Sequence, residues 1–202
     1  AVAELAFGFM VYAIRNMYNG TSGTELKGKK LGIHAFGNVG RNVARIAQGF
    51  GMEIYAYDAY CSNEVMTAAG VNPVNSSEEL YQMRGIISLH SPATPKTKAS
   101  INYSLVSKMP KGGVLVNTAR KEVIDEEGLI TLMQERTDLK YMTDVMPAAD
   151  AKFRTLFEGR YFATPKKMGA QTAEANINAG IAAAKQIVDY IQNGNTRFQV
   201  NK

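Results

Sequence analysis

Short apolar runs alternate with longer amphipathic stretches through the middle of the chain. The runs predict strands at Leu31–Phe36, Glu53–Asp58, Gly85–His90, Gly113–Thr118, Tyr141–Val145 and Tyr161–Ala163, with a weaker one near Val71–Val74. Between them, apolar residues recur at helical spacing over Val39–Phe50, Ser62–Ala69, Ser77–Met83, Tyr103–Lys108 and Asp125–Glu135. Strands that are apolar at nearly every position need cover on both faces, and helices between successive strands supply it. With right-handed crossovers the pattern predicts an α/β fold of Rossmann type, a doubly wound parallel sheet with flanking helices. Ligands of such a fold lie at the carboxyl ends of its strands.

Two longer helical patterns flank this core, Ala1–Asn19 and Thr172–Gln192. The whole chain, 1–202, therefore reads as one domain with 1–19 and 172–192 as flanking helices. The first helix is apolar nearly all round, which suits either an internal core helix or a subunit interface. The chain begins without methionine inside that pattern and ends just after the other, as expected of a piece of something longer.

With 202 residues, 46% hydrophobic and 20% charged, there is material for a substantial core. The net charge is +5 and the pI about 9.2, but the basic residues are scattered. That excess favours an anionic small molecule and argues against nucleic acid as a partner. The one cysteine, Cys61, excludes an internal disulfide or a cysteine-built metal site, so no metal and a reducing cytoplasm are expected. Ala1–Ile14 is interrupted by Glu4 and falls short of the ~18 residues of a membrane span, so no membrane association is expected.

The most suggestive turn is Ala35-Phe36-Gly37-Asn38-Val39-Gly40, where a dinucleotide fingerprint would read G-x-G-x-x-G. The second and third glycines, which admit a pyrophosphate and let helix pack on strand, are present as Gly37 and Gly40. Alanine at 35 adds a methyl, tolerable if its φ stays negative. Asp58 ends the following strand, where a carboxylate accepts hydrogen bonds from a ribose diol and repels a 2′-phosphate, pointing to NAD over NADP.

Of the two histidines, His34 lies within the first strand and reads as a core residue. His90 ends a strand at "SLHSPAT", where it fixes loop geometry or lines a cofactor. Asn117-Thr118-Ala119-Arg120 ends another strand, and an arginine there suits bidentate binding of a carboxylate. It could instead pair with Glu122 or Asp125. Asp144 reaches a strand end in "YMTDVMPAAD", and "FATPKKMGAQTAEAN" carries Lys166 and Lys167 ahead of a helix capped by Thr172.

Taken together, "VAELAFGFMVYAIRN", "ELKGKKLGIHAFGNVGRNVA", "SLHSPATPKTKASIN", "MPKGGVLVNTARKEVIDEEGL" and "ATPKKMGAQTAEAN" resemble the D-isomer-specific 2-hydroxyacid dehydrogenase family along nearly the whole chain. The resemblance implies an NAD-dependent oxidation of a small anionic 2-hydroxy acid, and a homodimer built through the first helix. It implies that NAD is held at Ala35, Gly37, Asn38, Val39, Gly40 and Asp58. His90, Ser91, Pro92, Thr97, Thr118, Ala119, Arg120, Asp144, Gly169 and Ala170 would line the rest, with Asp144 on the nicotinamide amide and Arg120 on the substrate's carboxylate and keto oxygen. Such enzymes carry a second, substrate-closing domain that this stretch lacks, so NAD binding with little turnover is expected of the chain alone.

Two departures stand out. The family's acid–base histidine, from a "TPHIGAS"-like segment, falls on Lys167 when counted back from Gly169-Ala170 and on Lys166 when counted from Thr164-Pro165. Its glutamate falls on Ala149, beside Asp150. Lysine is then the expected acid–base group, Lys167 by preference. An ordinary lysine titrates near ~10.4, and reaching about 7.5 takes roughly 4 kcal/mol from a neighbouring cation and partial burial. A positive site of this kind would welcome a phosphorylated acid. A non-catalytic NAD-responsive protein of the same fold, or a dehydrogenase for another 2-hydroxy acid, stays open.

Overall fold

A computed structural model describes residues 1–82 and 85–201. They fall into two compact units, one of Val2–Gly169 and one of Ala1 with the segment from Ala170 onward.

In the larger unit the order is α1 (Val2–Ile14), β1 (Lys30–His34), α2 (Asn38–Gly49), β2 (Glu53–Tyr57), α3 (Asn63–Ala68), β3 (Asn72–Pro73) and α4 (Ser77–Gln82). It continues with β4 (Ile86–Leu89), α5 (Tyr103–Val106), β5 (Val114–Asn117), α6 (Glu126–Glu135), β6 (Lys140–Thr143), α7 (Asp150–Leu156) and β7 (Tyr161–Ala163). The strands form one sheet in the order β3-β2-β1-β4-β5-β6-β7, every neighbouring pair parallel. The strand order reverses between β1 and β4, which makes their carboxyl ends the natural ligand crevice.

Alternation along the strands supplies two cores. Leu31, Ile33, Ile86, Val114, Val116 and Met142 pack with α1 and α2, whereas Ile87, Leu89, Leu115 and Tyr141 pack with Leu80, Leu105, Leu129 and Phe153. Burial on both faces is the reason the strands read as continuous apolar runs.

Two differences from expectation have physical causes. The first helix ends at Ile14, not Asn19, because Asn16, Met17 and Tyr18 all take positive φ, at 50°, 53° and 57°. Lys140 secures this end, its Nζ donating to Ala13 O at 2.7 Å and Asn16 Oδ1 at 2.8 Å. Six α1 residues, among them Phe7, Phe9 and Met10, are buried within the unit. One face of α1 is thus an internal core helix, while Leu5, Val11 and Tyr12 stay half-buried and Gly8 exposed. Helix α7 was not foreseen; its Phe153, and Phe157 just past its end, pack in the second core. The expected helix end at Met83 lies outside the described residues.

In the smaller unit, α8 (Ala173–Asn193) is capped by Thr172, whose Oγ1 accepts from Ala175 N at 3.1 Å, and stops at left-handed Gly194. No helix among the described residues is long and apolar enough to cross a membrane.

Candidate functional site

The turn leaving β1 keeps the geometry of a dinucleotide loop at a cost the sequence did not reveal. Ala35 sits at φ +80°, not in the negative region expected of it. Its N–H donates to Tyr57 O at 2.8 Å, and its carbonyl lies where a side chain on Gly40 would have to go. The chain path demands the left-handed region at this position, and alanine meets the demand under strain. Gly37 precedes α2 with nothing within 4 Å of a would-be Cβ, leaving its backbone open to a ligand. Asn38, Val39 and Gly40 form the first turn of α2, whose free N–H groups suit an anion.

Asp58 locks this turn to the next strand. Its Oδ2 accepts from Phe36 N at 2.7 Å, and its Oδ1 from Tyr60 N at 2.7 Å and Cys61 N at 3.0 Å. It also borders a cleft of about 320 Å³ that Ala35, Tyr60, Ser91, Pro92 and Thr97 line as well. The Pro92–Thr97 rim is tied by Thr97 Oγ1 donating to Pro92 O at 2.6 Å. Ser91 Oγ is the one buried side-chain polar atom without a hydrogen-bond partner among the described residues. A buried hydroxyl left unpaired on a cleft wall fits a site that a polar ligand completes.

Of the two histidines, His34 lines this cleft and His90 does not. His34 borders the cleft instead of sitting wholly in the core, and its Nδ1 lies 3.3 Å from Tyr81 Oη. Burial pulls its pKa down to about 4, against the opposing pull of Asp58 and Glu78. His90 lies between Ser88 Oγ, 2.9 Å from Nε2, and Thr118 Oγ1, 3.3 Å from Nδ1. Burial first, then the charge of His34, brings His90 down to about 3. A neutral imidazole held by two hydroxyls suits His90 to fixing the local geometry of its strand end.

A second, open recess of about 370 Å³ collects Arg120, Lys121, Glu122, Val145, Met146 and Lys167. The turn bearing Arg120 is built by Asn117, whose Oδ1 accepts from Ala119 N at 2.9 Å and whose Nδ2 donates to Arg120 O at 3.1 Å. The Arg120 guanidinium rests on Ala119 O at 2.8 Å. Among the described residues it forms no ion pair with Glu122 or Asp125. Lys166 is exposed and does not border the recess, so the structure joins Lys167, not Lys166, to Arg120. Lys167 is itself exposed, without the partial burial expected of it.

Asp144 explains how Lys167 is placed. Its fully buried carboxylate accepts from Thr164 Oγ1 at 2.9 Å and Met168 N at 2.7 Å on Oδ1, and from Gly169 N at 2.7 Å on Oδ2. A Cβ on Gly169 would come within 2.9 Å of that oxygen. A nicotinamide amide would be a fourth donor to a carboxylate that already positions the lysine loop. Ala170 belongs to the smaller unit. Asp150 is taken up by Arg154 Nε at 2.8 Å and Tyr161 Oη at 2.6 Å, outside the recess.

Sequence reasoning passed over Tyr57, Ser77, Thr94 and Lys96 as cleft residues. The segment "SPATPK" was legible as a strand-end loop, which could have flagged Thr94 and Lys96. Nothing in the sequence marks Ser77.

Residues 10–164 match the family model described as D-isomer specific 2-hydroxyacid dehydrogenase, NAD binding domain. A D-3-phosphoglycerate dehydrogenase of Methanocaldococcus jannaschii is 36% identical over 93% of this chain and 38% of its own length. A hydroxypyruvate reductase of Thermotoga maritima is 34% identical over 93% of this chain and 65% of its own. The crystal structure of an NAD⁺-bound 3-phosphoglycerate dehydrogenase from Entamoeba histolytica superposes with a TM-score of 0.90 at 51% identity, covering all of this chain and 64% of that one. The chain thus spans less than two thirds of each of these relatives.

Proposed function

Because the chain belongs to the D-isomer specific 2-hydroxyacid dehydrogenases, as their NAD-binding domain, we propose that it serves a D-3-phosphoglycerate dehydrogenase oxidising 3-phosphoglycerate to 3-phosphohydroxypyruvate. The observation that carries this reading is the meeting of Arg120 and Lys167 in one recess at the ends of β5 and β6. The turn after β1 and the first cleft suit NAD: open backbone at Gly37 in the turn, and in the cleft an unpaired Ser91 hydroxyl and a carboxylate at Asp58 for a ribose diol.

Bound NAD would supply the hydride acceptor for oxidation at C2 of the acid. Arg120 holds the carboxylate in a planar fork and so orients that carbon. The Lys167 amine accepts the hydroxyl proton as the carbonyl forms. Asp144 keeps the lysine at this station through the Met168 and Gly169 amides.

The test is steady-state reduction of NAD with 3-phosphoglycerate by the full-length protein carrying this chain. Lys167→Met should abolish turnover and leave NAD binding intact; near-normal activity in that variant would end the proposal. Absence of any turnover in the unmodified protein would favour a non-catalytic NAD-responsive role. We further infer a cytoplasmic homodimer joined through the half-buried stripe of Leu5, Val11 and Tyr12 on α1. Light scattering on wild type and Tyr12→Glu checks the dimer, which that change should split.

A further inference from the structure

The proposed reaction uses two of the three basic residues in the recess and leaves Lys121 without a task. Its backbone is firmly held: Lys121–Val123 makes a single 3₁₀ turn directly after the turn built by Asn117. Val123 is fully buried, and its carbonyl accepts from Ile101 N at 3.0 Å. The Glu122 carbonyl accepts from Ala99 N at 2.9 Å. The Lys121 side chain is exposed on this rigid base and lines the recess beside Arg120. Among the described residues it has no acidic partner in an ion pair.

Charge then distinguishes substrates. With Lys167 neutral as the proton acceptor, Arg120 and Lys121 against Glu122 still leave the recess with a surplus of positive charge. A simple 2-hydroxy acid brings about −1, which Arg120 alone answers. A phosphate monoester adds about −1.5 to −2 near neutral pH, with three strong acceptor oxygens. Lysine, a compact charge on a flexible stem, suits such a group on a short tether from the carboxylate.

Resting on the function proposed above, we propose that Lys121 is the specificity-determining residue that binds the substrate's phosphate, so that the recess selects phosphorylated over plain 2-hydroxy acids. The experiment compares kcat/KM for 3-phosphoglycerate and D-glycerate in the full-length protein, with inorganic phosphate as a competing probe. Lys121→Met should lower the ratio of the two values by about tenfold, the worth of one charge-assisted contact. Inhibition by inorganic phosphate should weaken in parallel, and Lys121→Arg should restore most of both. A ratio unchanged in Lys121→Met, with both acids still oxidised, refutes this assignment and leaves the proposed function standing. If the unmodified protein oxidises neither acid, the proposed function itself fails and this inference falls with it.

Discussion

Lowering the pH from 7 to 5 should destabilise the fold mainly through two side chains, His34 and His90. Their folded-state pKa values, about 4 and about 3, lie below the ordinary 6.5 because burial disfavours the imidazolium. The unfolded chain therefore binds more protons than the folded one between pH 6.5 and those values, and stability falls as the pH falls through that window. At pH 5 each histidine costs about 2 kcal/mol relative to neutral pH, so the pair removes roughly 4 kcal/mol. Asp58 and Glu78 soften the effect at His34, and the mutual repulsion of the two rings sharpens it at His90. The depressed carboxylate of Asp138 titrates below this range and adds almost nothing. Urea unfolding at pH 7 and pH 5 reads the difference directly. Wild type should lose roughly 4 kcal/mol, His34→Leu and His90→Gln about half as much each, and the double variant very little. His34→Leu also strands the Tyr81 hydroxyl, but that penalty is the same at both pH values and cancels. Equal losses in wild type and both single variants would refute the argument, because the protons would then be going elsewhere.

The remaining predictions concern the backbone around the two sites. Ala35→Gly should stabilise the protein by about 0.5–1 kcal/mol, the relief of ~1–2 kcal/mol of left-handed strain less the added freedom of the unfolded chain. Gly40→Ala should cost about 2–3 kcal/mol by driving a methyl onto the Ala35 carbonyl; urea midpoints report both. Asp144→Asn should cost about 3 kcal/mol and speed hydrogen exchange at the Met168 and Gly169 amides without any cofactor present. Asp58→Ala should lower the thermal midpoint of the cofactor-free protein, by about 1–3 kcal/mol of stability, since it unpairs Phe36, Tyr60 and Cys61 N–H. A carboxylate serving only a ribose would leave that midpoint unmoved.

How much of this was legible in the sequence follows from which interactions are local. The strands were legible because two-sided burial writes an unbroken apolar run at each of them. The end of α1 was not, because the contact that holds Asn16 comes from Lys140, 124 residues along the chain. Helix α7 lacks a side-chain cap and takes its cover from the core beneath it, so only the Phe153–Phe157 spacing hinted at it. At Ala35 the alanine suggested a turn that avoids positive φ, yet the path back from Tyr57 to the close-packed Gly40 imposes it whatever the residue. The lysines show the converse. Sequence offered two anchors, Thr164-Pro165 and Gly169-Ala170, which place the acid–base position at Lys166 or Lys167. The structure ties Asp144 to both ends of that loop, through Thr164 Oγ1 on one side and the Met168 and Gly169 amides on the other. The extra residue must therefore be absorbed between the ties, at Pro165–Lys167, where the chain is exposed. Lys167 lies next to the pair of amide bonds, whereas Lys166 is nearer the middle of the bulge. Counting back from Gly169 leads to the lysine that lines the recess, because that end is gripped by backbone, and a backbone grip fixes the neighbouring side chain's place more closely than a hydroxyl does.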